Sequence, residues 1–254
     1  MDFSALCAGC PHRASLWVME SCLQVSGMKV GVKALARSCH AGKPLPIEGE
    51  IGGVDTGGGK ALLREGYDKV LYCVTPGDLA RGREEGVPSW VAWAAGLGTR
   101  ELMMVLDDSI AGDTGIEDVL ARAGAVAPRV VDPLRVAAAK QALKDALRQD
   151  GPAILVFRNP CARSRNVEEG QGVYVAMCSA CLKCVKELGC PALAYRFNWP
   201  YPPADNPTNE RRRDVCRACG LCAAFCPFKA PKLRRAGMKM SNALEGRVCA
   251  RPLD

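Results

Sequence analysis

Along the first 160 residues, short apolar runs alternate with stretches whose apolar residues repeat at helical spacing. Val70-Leu71-Tyr72-Cys73-Val74-Thr75, bounded by Pro76-Gly77, predicts a buried strand. Leu102-Met103-Met104-Val105-Leu106, ending on Asp107-Asp108, predicts a second. Arg129-Val130-Val131 and Ala153 to Phe157 predict a third and a fourth. Helices are expected from Pro11 to Val25, with proline in the first turn, and from Pro88 to Leu97. Another opens with Asp132 as N-cap and Pro133 at its first position. It continues through Val136, Ala139, Leu143, Ala146 and Leu147, and Gly151 can end it. Strands alternating with helices predict an α/β fold with a doubly wound, mostly parallel sheet.

The pattern changes after Cys161. Residues from Arg163 to Gly172 are polar and read as a linker. Two cysteine-rich modules follow, separated by a segment around Trp199-Pro200-Tyr201-Pro202-Pro203 whose prolines preclude regular structure. The modules are an internal repeat. The expected organisation is an α/β domain over 1–165, a small α+β domain over 173–235 and a basic tail over 236–254.

No apolar run is long enough for a membrane helix, which needs about 18 residues. The start of the chain has no charged-then-apolar signal pattern, so a cytoplasmic location is expected. Cysteine then changes the picture, with 15 residues. A disulfide scaffold suits small secreted chains, whereas cysteines at two-residue spacing in a long chain of this kind indicate metal. The net charge is +7, and Arg211, Arg212, Arg213, Lys229, Lys232, Arg234, Arg235 and Lys239 gather late in the chain. No aromatic-interleaved motif accompanies them. They read as a solvated rim suited to acidic redox partners rather than as a nucleic-acid patch.

The first module reads Cys178-x2-Cys181-x2-Cys184-x5-Cys190-Pro191 and the second Cys216-x2-Cys219-x2-Cys222-x3-Cys226-Pro227. Two-residue gaps let three thiolates wrap one iron–sulfur cube on a tight loop. In two-cluster ferredoxins the fourth cysteine, the one before proline, reaches the other cube. Cys178, Cys181, Cys184 and Cys226 are therefore assigned to one 4Fe-4S cluster, and Cys216, Cys219, Cys222 and Cys190 to the other. A zinc site would need one quartet and no repeated third cysteine. Two clusters mean electron transfer, and they argue for a reducing, oxygen-poor setting.

Several segments together resemble the large subunit of indolepyruvate ferredoxin oxidoreductases. Leu6-Cys7-Ala8-Gly9-Cys10-Pro11-His12-Arg13 looks like that family's CPGCPHR, and Gly49 to Gly57 like its GDIGCYTLG. Gly77-Asp78, Val105-Leu106-Asp107-Asp108, Thr114-Gly115, Val131-Asp132-Pro133 and Asn159-Pro160-Cys161 sit where it has GDS, VLDN, MTG, VDP and RPC. Cys184 to Pro191 is close to its first ferredoxin loop. The match is to the C-terminal half of that subunit. It implies a sheet domain of the thiamine diphosphate-binding type followed by a two-cluster ferredoxin-like domain. It also implies thiamine diphosphate bound through Mg2+ by Asp78 and Asp108, with Thr114 and Gly115 near the metal and His12 near the diphosphate. The hard oxygen ligands suit Mg2+. The implied partners are chains supplying the missing pyrimidine-binding domain and the smaller subunit, with ferredoxin or another redox partner accepting electrons.

This sequence departs from the family pattern. Asp108 replaces an asparagine, the helix after GCYTLG is reduced to Gly57-Gly58-Gly59-Lys60, and the loop after MTG is missing. In related 2-oxoacid oxidoreductases a further cluster lies near thiamine. The matching positions are Cys7, Cys10, Gly53 and Cys161, so three thiolates remain. The fourth ligand stays open among Cys39, Cys73 and Asp55, as does an open iron site or plain packing of free thiols. Cys22 and Cys249 read as packing. Two function classes stand: an enzyme subunit of the 2-oxoacid ferredoxin oxidoreductase type, inactive as an isolated chain, or an electron-transfer and docking subunit whose thiamine fold is vestigial.

Overall fold

The computed structural model describes residues 3–34, 36, 38–39, 42–47, 56–76, 94–109, 115–164, 172–175, 181–195, 209–211, 215–229 and 231–234. The chain divides into two compact units. One comprises 14–161; the other joins 2–13 to 162–254.

Among the described residues the first unit holds a five-stranded, all-parallel sheet. Its strands are β1 (Val30–Ala34), β2 (Lys69–Val74), β3 (Glu101–Asp107), β4 (Arg129–Val131) and β5 (Ala153–Arg158). Their spatial order is β1-β2-β3-β5-β4, and every pairing is parallel. The helices are α1 (Pro11–Val25), α2 (Thr56–Arg64), α3 (Ile116–Arg122) and α4 (Val136–Arg148). β2 and β3 are buried at every position. This is why they read as unbroken apolar runs: helices cover both faces. On one face Tyr72, Met103, Val105 and Val156 pack with Ile116 and Leu120 of α3 and with Leu62 and Leu63 of α2. On the other, Cys73 Sγ lies 3.5 Å from Met19 Sδ of α1, and Cys22 Sγ of α1 lies 3.7 Å from the Lys140 carbonyl of α4. Right-handed crossovers require this division. The chain steps one way from β1 to β4 and reverses from β4 to β5, which puts α4 on the opposite face from α2 and α3. The doubly wound α/β class expected from the sequence is present.

Local starts differ from expectation. The last helix begins at Val136 with Arg135 as N-cap, not at Asp132-Pro133. Asp132 Oδ1 instead accepts from the Leu134 N–H at 2.9 Å and from Asn159 Nδ2 at 2.9 Å. A short side chain that can close its own turn competes with capping. β1, α2 and α3 lack a clear apolar signature and are additions to the expected elements. The expected helix over 88–97 lies mostly outside the described residues.

In the second unit two strand–helix–strand segments repeat. The first has β6 (Gly172–Val175), α5 (Lys183–Lys186) and β7 (Leu193–Tyr195). The second has β8 (Asn209–Arg211), α6 (Leu221–Phe225) and β9 (Pro231–Arg234). β6 pairs antiparallel with β9, and β7 with β8. Phe3 and Leu6 are buried, as are Leu188, Ala192, Leu193 and Leu221.

Candidate metal centre

The two short helices begin alike. Leu182 before α5 has φ 60° and Gly220 before α6 has φ 75°. Each stands directly after a middle cysteine, Cys181 or Cys219. The Val185 and Lys186 N–H groups donate to the Leu182 carbonyl at 3.0 and 2.9 Å. Ala223 and Ala224 do the same to Gly220 at 2.9 and 3.2 Å. A left-handed residue turns the chain sharply enough to start a helix within the two-residue gap. Glycine does this freely, while Leu182 and Ala218 (φ 49°) adopt it against steric preference. The spacing repeat in the sequence is thus a backbone repeat, and in both segments the third cysteine, Cys184 or Cys222, lies on the helix and is buried.

Cys190, Cys216, Cys219 and Cys222 line one cavity, together with Arg13 and Gly9. The structure therefore brings one residue of the first module to three of the second. Of the other expected quartet, Cys181 is exposed, Cys184 is buried, Cys226 is half-buried and Cys178 lies outside the described residues. Among the described residues no group of three or more His, Cys, Asp or Glu side chains converges as on a single metal ion. A cube has four irons and takes one thiolate at each, so its ligand sulfurs spread to the corners of a cavity.

The electrostatics of two of these thiols, Cys222 and Cys190, bear on what the cavity suits. Burial pushes the Cys222 thiol well above its usual range, and the charges of Cys219, Cys190, Cys216 and Cys184 push the same way. Burial also raises Cys190, opposed by the Ala192 N–H and the Arg13 guanidinium. The thiolate forms of Cys222 and Cys190 are disfavoured by that burial. Positive charge from metal ions would reverse that, since a coordinated thiol is deprotonated outright. Four cysteines lining one cavity are a donor set of the kind an iron–sulfur group takes.

Arg13 closes the Cys7-to-Arg13 motif and also lines the cavity. It is 1 % exposed. Nη1 donates to the carbonyls of Phe3 (2.8 Å), Leu188 (2.6 Å) and Gly189 (2.9 Å). Nη2 donates to Leu6 (2.5 Å) and Cys7 (3.3 Å). The segment carrying Cys7 and Cys10 is thereby tied to the loop that leads into Cys190. Close approach requires glycine here: a Cβ on Gly9 (φ +72°) would meet Arg217 Cβ at 2.6 Å. Cys7 is half-buried and Cys10 buried; Cys39, Cys73 and Cys161 are buried within the first unit. Cys73 sits inside β2 against Met19.

The residues expected around a diphosphate are partly described. Asp108 is buried just beyond β3, and its carbonyl accepts from the Cys161 N–H at 3.0 Å. Gly115 is the left-handed N-cap of α3. His12 is fully buried in the second unit. Asp78 and Thr114 lie outside the described residues. At the carboxyl edge of the sheet the structure adds Arg158, which no sequence signal marked. Its Nε contacts buried Asp107 at 2.7 Å, and its two terminal nitrogens contact both Glu117 carboxylate oxygens at 2.7 Å. The ligand crevice of open α/β sheets lies at this edge.

Comparison with known proteins sets similar chains beside this geometry of an α/β sheet unit and a cysteine-lined unit. No family model matches the chain. Indolepyruvate oxidoreductase subunit IorA of Archaeoglobus fulgidus is 27 % identical over 260 residues, covering 89 % of this chain and 39 % of that protein. The subunit of the same name from Thermococcus kodakarensis is 27 % identical, covering 89 % and 40 %. That from Pyrococcus horikoshii is 24 % identical, covering 92 % and 41 %. The resemblance read from the motifs is thus also a resemblance of the chain as a whole. The chain spans about two-fifths of the length of these curated relatives. A solved structure described as a thiamin diphosphate-dependent enzyme from Mycobacterium smegmatis aligns with 60 % of this chain and 32 % of its own, at 18 % identity and a TM-score of 0.37. Among the described residues no helix is long and apolar enough to cross a membrane.

Proposed function

We propose that the chain is an iron–sulfur subunit of a 2-oxoacid ferredoxin oxidoreductase-like complex of the indolepyruvate type, working in the cytoplasm under reducing conditions. One observation carries the reading: Cys190 of the first module shares a cavity with Cys216, Cys219 and Cys222 of the second. These four would hold one 4Fe-4S cluster, and Cys178, Cys181, Cys184 and Cys226 the other. A 4Fe-4S cluster supplies one-electron storage and relay when bound. The chain's own part is to provide eight thiolates and set their charge environment. Cys7, Cys10 and Cys161 stand as candidate ligands of a third cluster. His12, Asp78, Asp108, Thr114 and Gly115 stand as candidate contacts of thiamine diphosphate and Mg2+. A pyrimidine-binding domain and a smaller subunit would come from partner chains, and ferredoxin would take the electrons.

A second reading is a dedicated electron-transfer and docking subunit on a vestigial thiamine fold. What favours it is Asp108 at a family asparagine position, beside Asp107, whose carboxylate is engaged by Arg158.

Iron and thiamine content of the chain, purified anaerobically with its partners, tests both. About eight irons with no thiamine supports the relay alone. About twelve irons with stoichiometric thiamine diphosphate supports the oxidoreductase with a third cluster. No iron ends both readings.

A further inference from the structure

A buried guanidinium is stable only when its charge is answered. Arg13 meets five neutral carbonyls and no acid: among the described residues no carboxylate lies within ion-pair reach of it. Its Nε is also buried and has no hydrogen-bond acceptor among the described residues. Desolvation pulls its pKa down, and among the described residues the charges of Cys190, Cys10, Cys219 and Cys7 pull it back up. Carbonyl dipoles satisfy hydrogens; they do not neutralise a cation in a dry wall. Arg13 moreover lines the cavity with Cys190, Cys216, Cys219 and Cys222.

We propose that Arg13 is the counter-cation and brace of the anionic iron–sulfur group that these four cysteines hold, a positioning residue that raises the group's reduction potential. The inference rests on the cluster reading of this cavity. As a brace, Arg13 fixes the Leu188 and Gly189 carbonyls that lead into Cys190. As a cation, it stabilises whichever state carries more negative charge. Reduction adds one electron from the external donor and forms or breaks no bond, so the reduced state gains from Arg13 and loses when Arg13 is neutralised. The free Nε–H is the donor left for a sulfur of the group.

The test compares the wild type, Arg13→Gln and Arg13→Lys as anaerobically purified holo complexes. Iron content, electron paramagnetic resonance redox titration and the rate of iron loss to a chelator are measured. The signal absent from Cys216→Ala identifies the cluster concerned. Arg13→Gln is expected to lower the midpoint potential of that cluster and leave the other unmoved. Arg13→Lys, which keeps the charge and loses the fork, is expected to hold the potential near wild type and release iron from that cluster faster. Unmoved potentials in Arg13→Gln overturn the proposal, as does an equal shift in both clusters. If Arg13→Gln does not fold, wild-type iron retention in Arg13→Lys overturns it. A wild type without iron removes the underlying reading instead, and the proposal with it.

Discussion

Arg158 Nε lies 2.7 Å from Asp107 Oδ2, and the aspartate side chain is fully buried. The pair joins the ends of β5 and β3, adjacent strands whose register sets Asp107 opposite Arg158. Removing one partner strands a buried charge. Arg158→Met is therefore expected to cost about 3 kcal/mol in urea unfolding. Adding Asp107→Asn should recover part of that loss, because the stranded charge is then gone. A double variant no more stable than the single one would contradict this account.

Glu117 gives the same network a pH signature. The hydrogen bonds from Arg158 hold its carboxyl below the usual range. A depressed folded pKa contributes stability that is present above the unfolded value, about 4.5, and is lost as pH falls through the folded value. Glu117→Gln should flatten that acid limb. The effect is modest, since the carboxylate is about a third exposed and screened.

The alkaline limb has another source. Burial pushes the Cys73 thiol up to about 12, and Tyr72 is raised by burial and by its hydrogen bond to Glu101. Between about pH 9 and 12 the native state holds the thiol proton that the unfolded chain has lost. Stability then falls as pH rises, by up to about 1.4 kcal/mol per unit for each such group. Cys73→Ala should be less stable at pH 7 through lost packing, yet show a shallower decline above pH 9.

Cys190→Ser tests the cross-module pairing. Iron should fall from about eight to about four per chain, and the signal lost should be the one also lost in Cys216→Ala. Loss of the signal that depends on Cys181 and Cys184 instead would return Cys190 to its own module.

Gly9→Ala tests the close approach of the N-terminal segment to the second module. The added Cβ meets Arg217 Cβ, not the flexible end of that side chain, and the backbone is left-handed. A loss of more than 1 kcal/mol is expected, with faster iron release under chelator challenge.

Strands β2, β3 and β5 were legible because both faces are buried and their runs stay apolar throughout. β1 was not: its Val-Gly-Val-Lys-Ala sequence alternates buried and half-buried positions around a glycine. The start of α4 was misread because Asp132 is as good at closing a turn as at capping a helix. The cysteine repeat was plain from spacing. Arg13 was hidden, since a lone arginine at a helix start reads as surface until the Leu188 and Gly189 carbonyls, some 175 positions away, are known as its partners. Arg158 was hidden for the same reason, because its partners come from other elements of the sheet edge.

Residues 2–13 belong to the same compact unit as residues from 162 onward. During synthesis the early segment emerges first and must wait for some 150 residues before its partners exist. The sheet unit, with its more local strand pairings, can meanwhile close on itself. Loop closure over such a span is slow, so under the proposed function metal loading of the cysteine loops would be a late event in the life of the chain. Iron supply would then act on a polypeptide whose sheet unit has already folded.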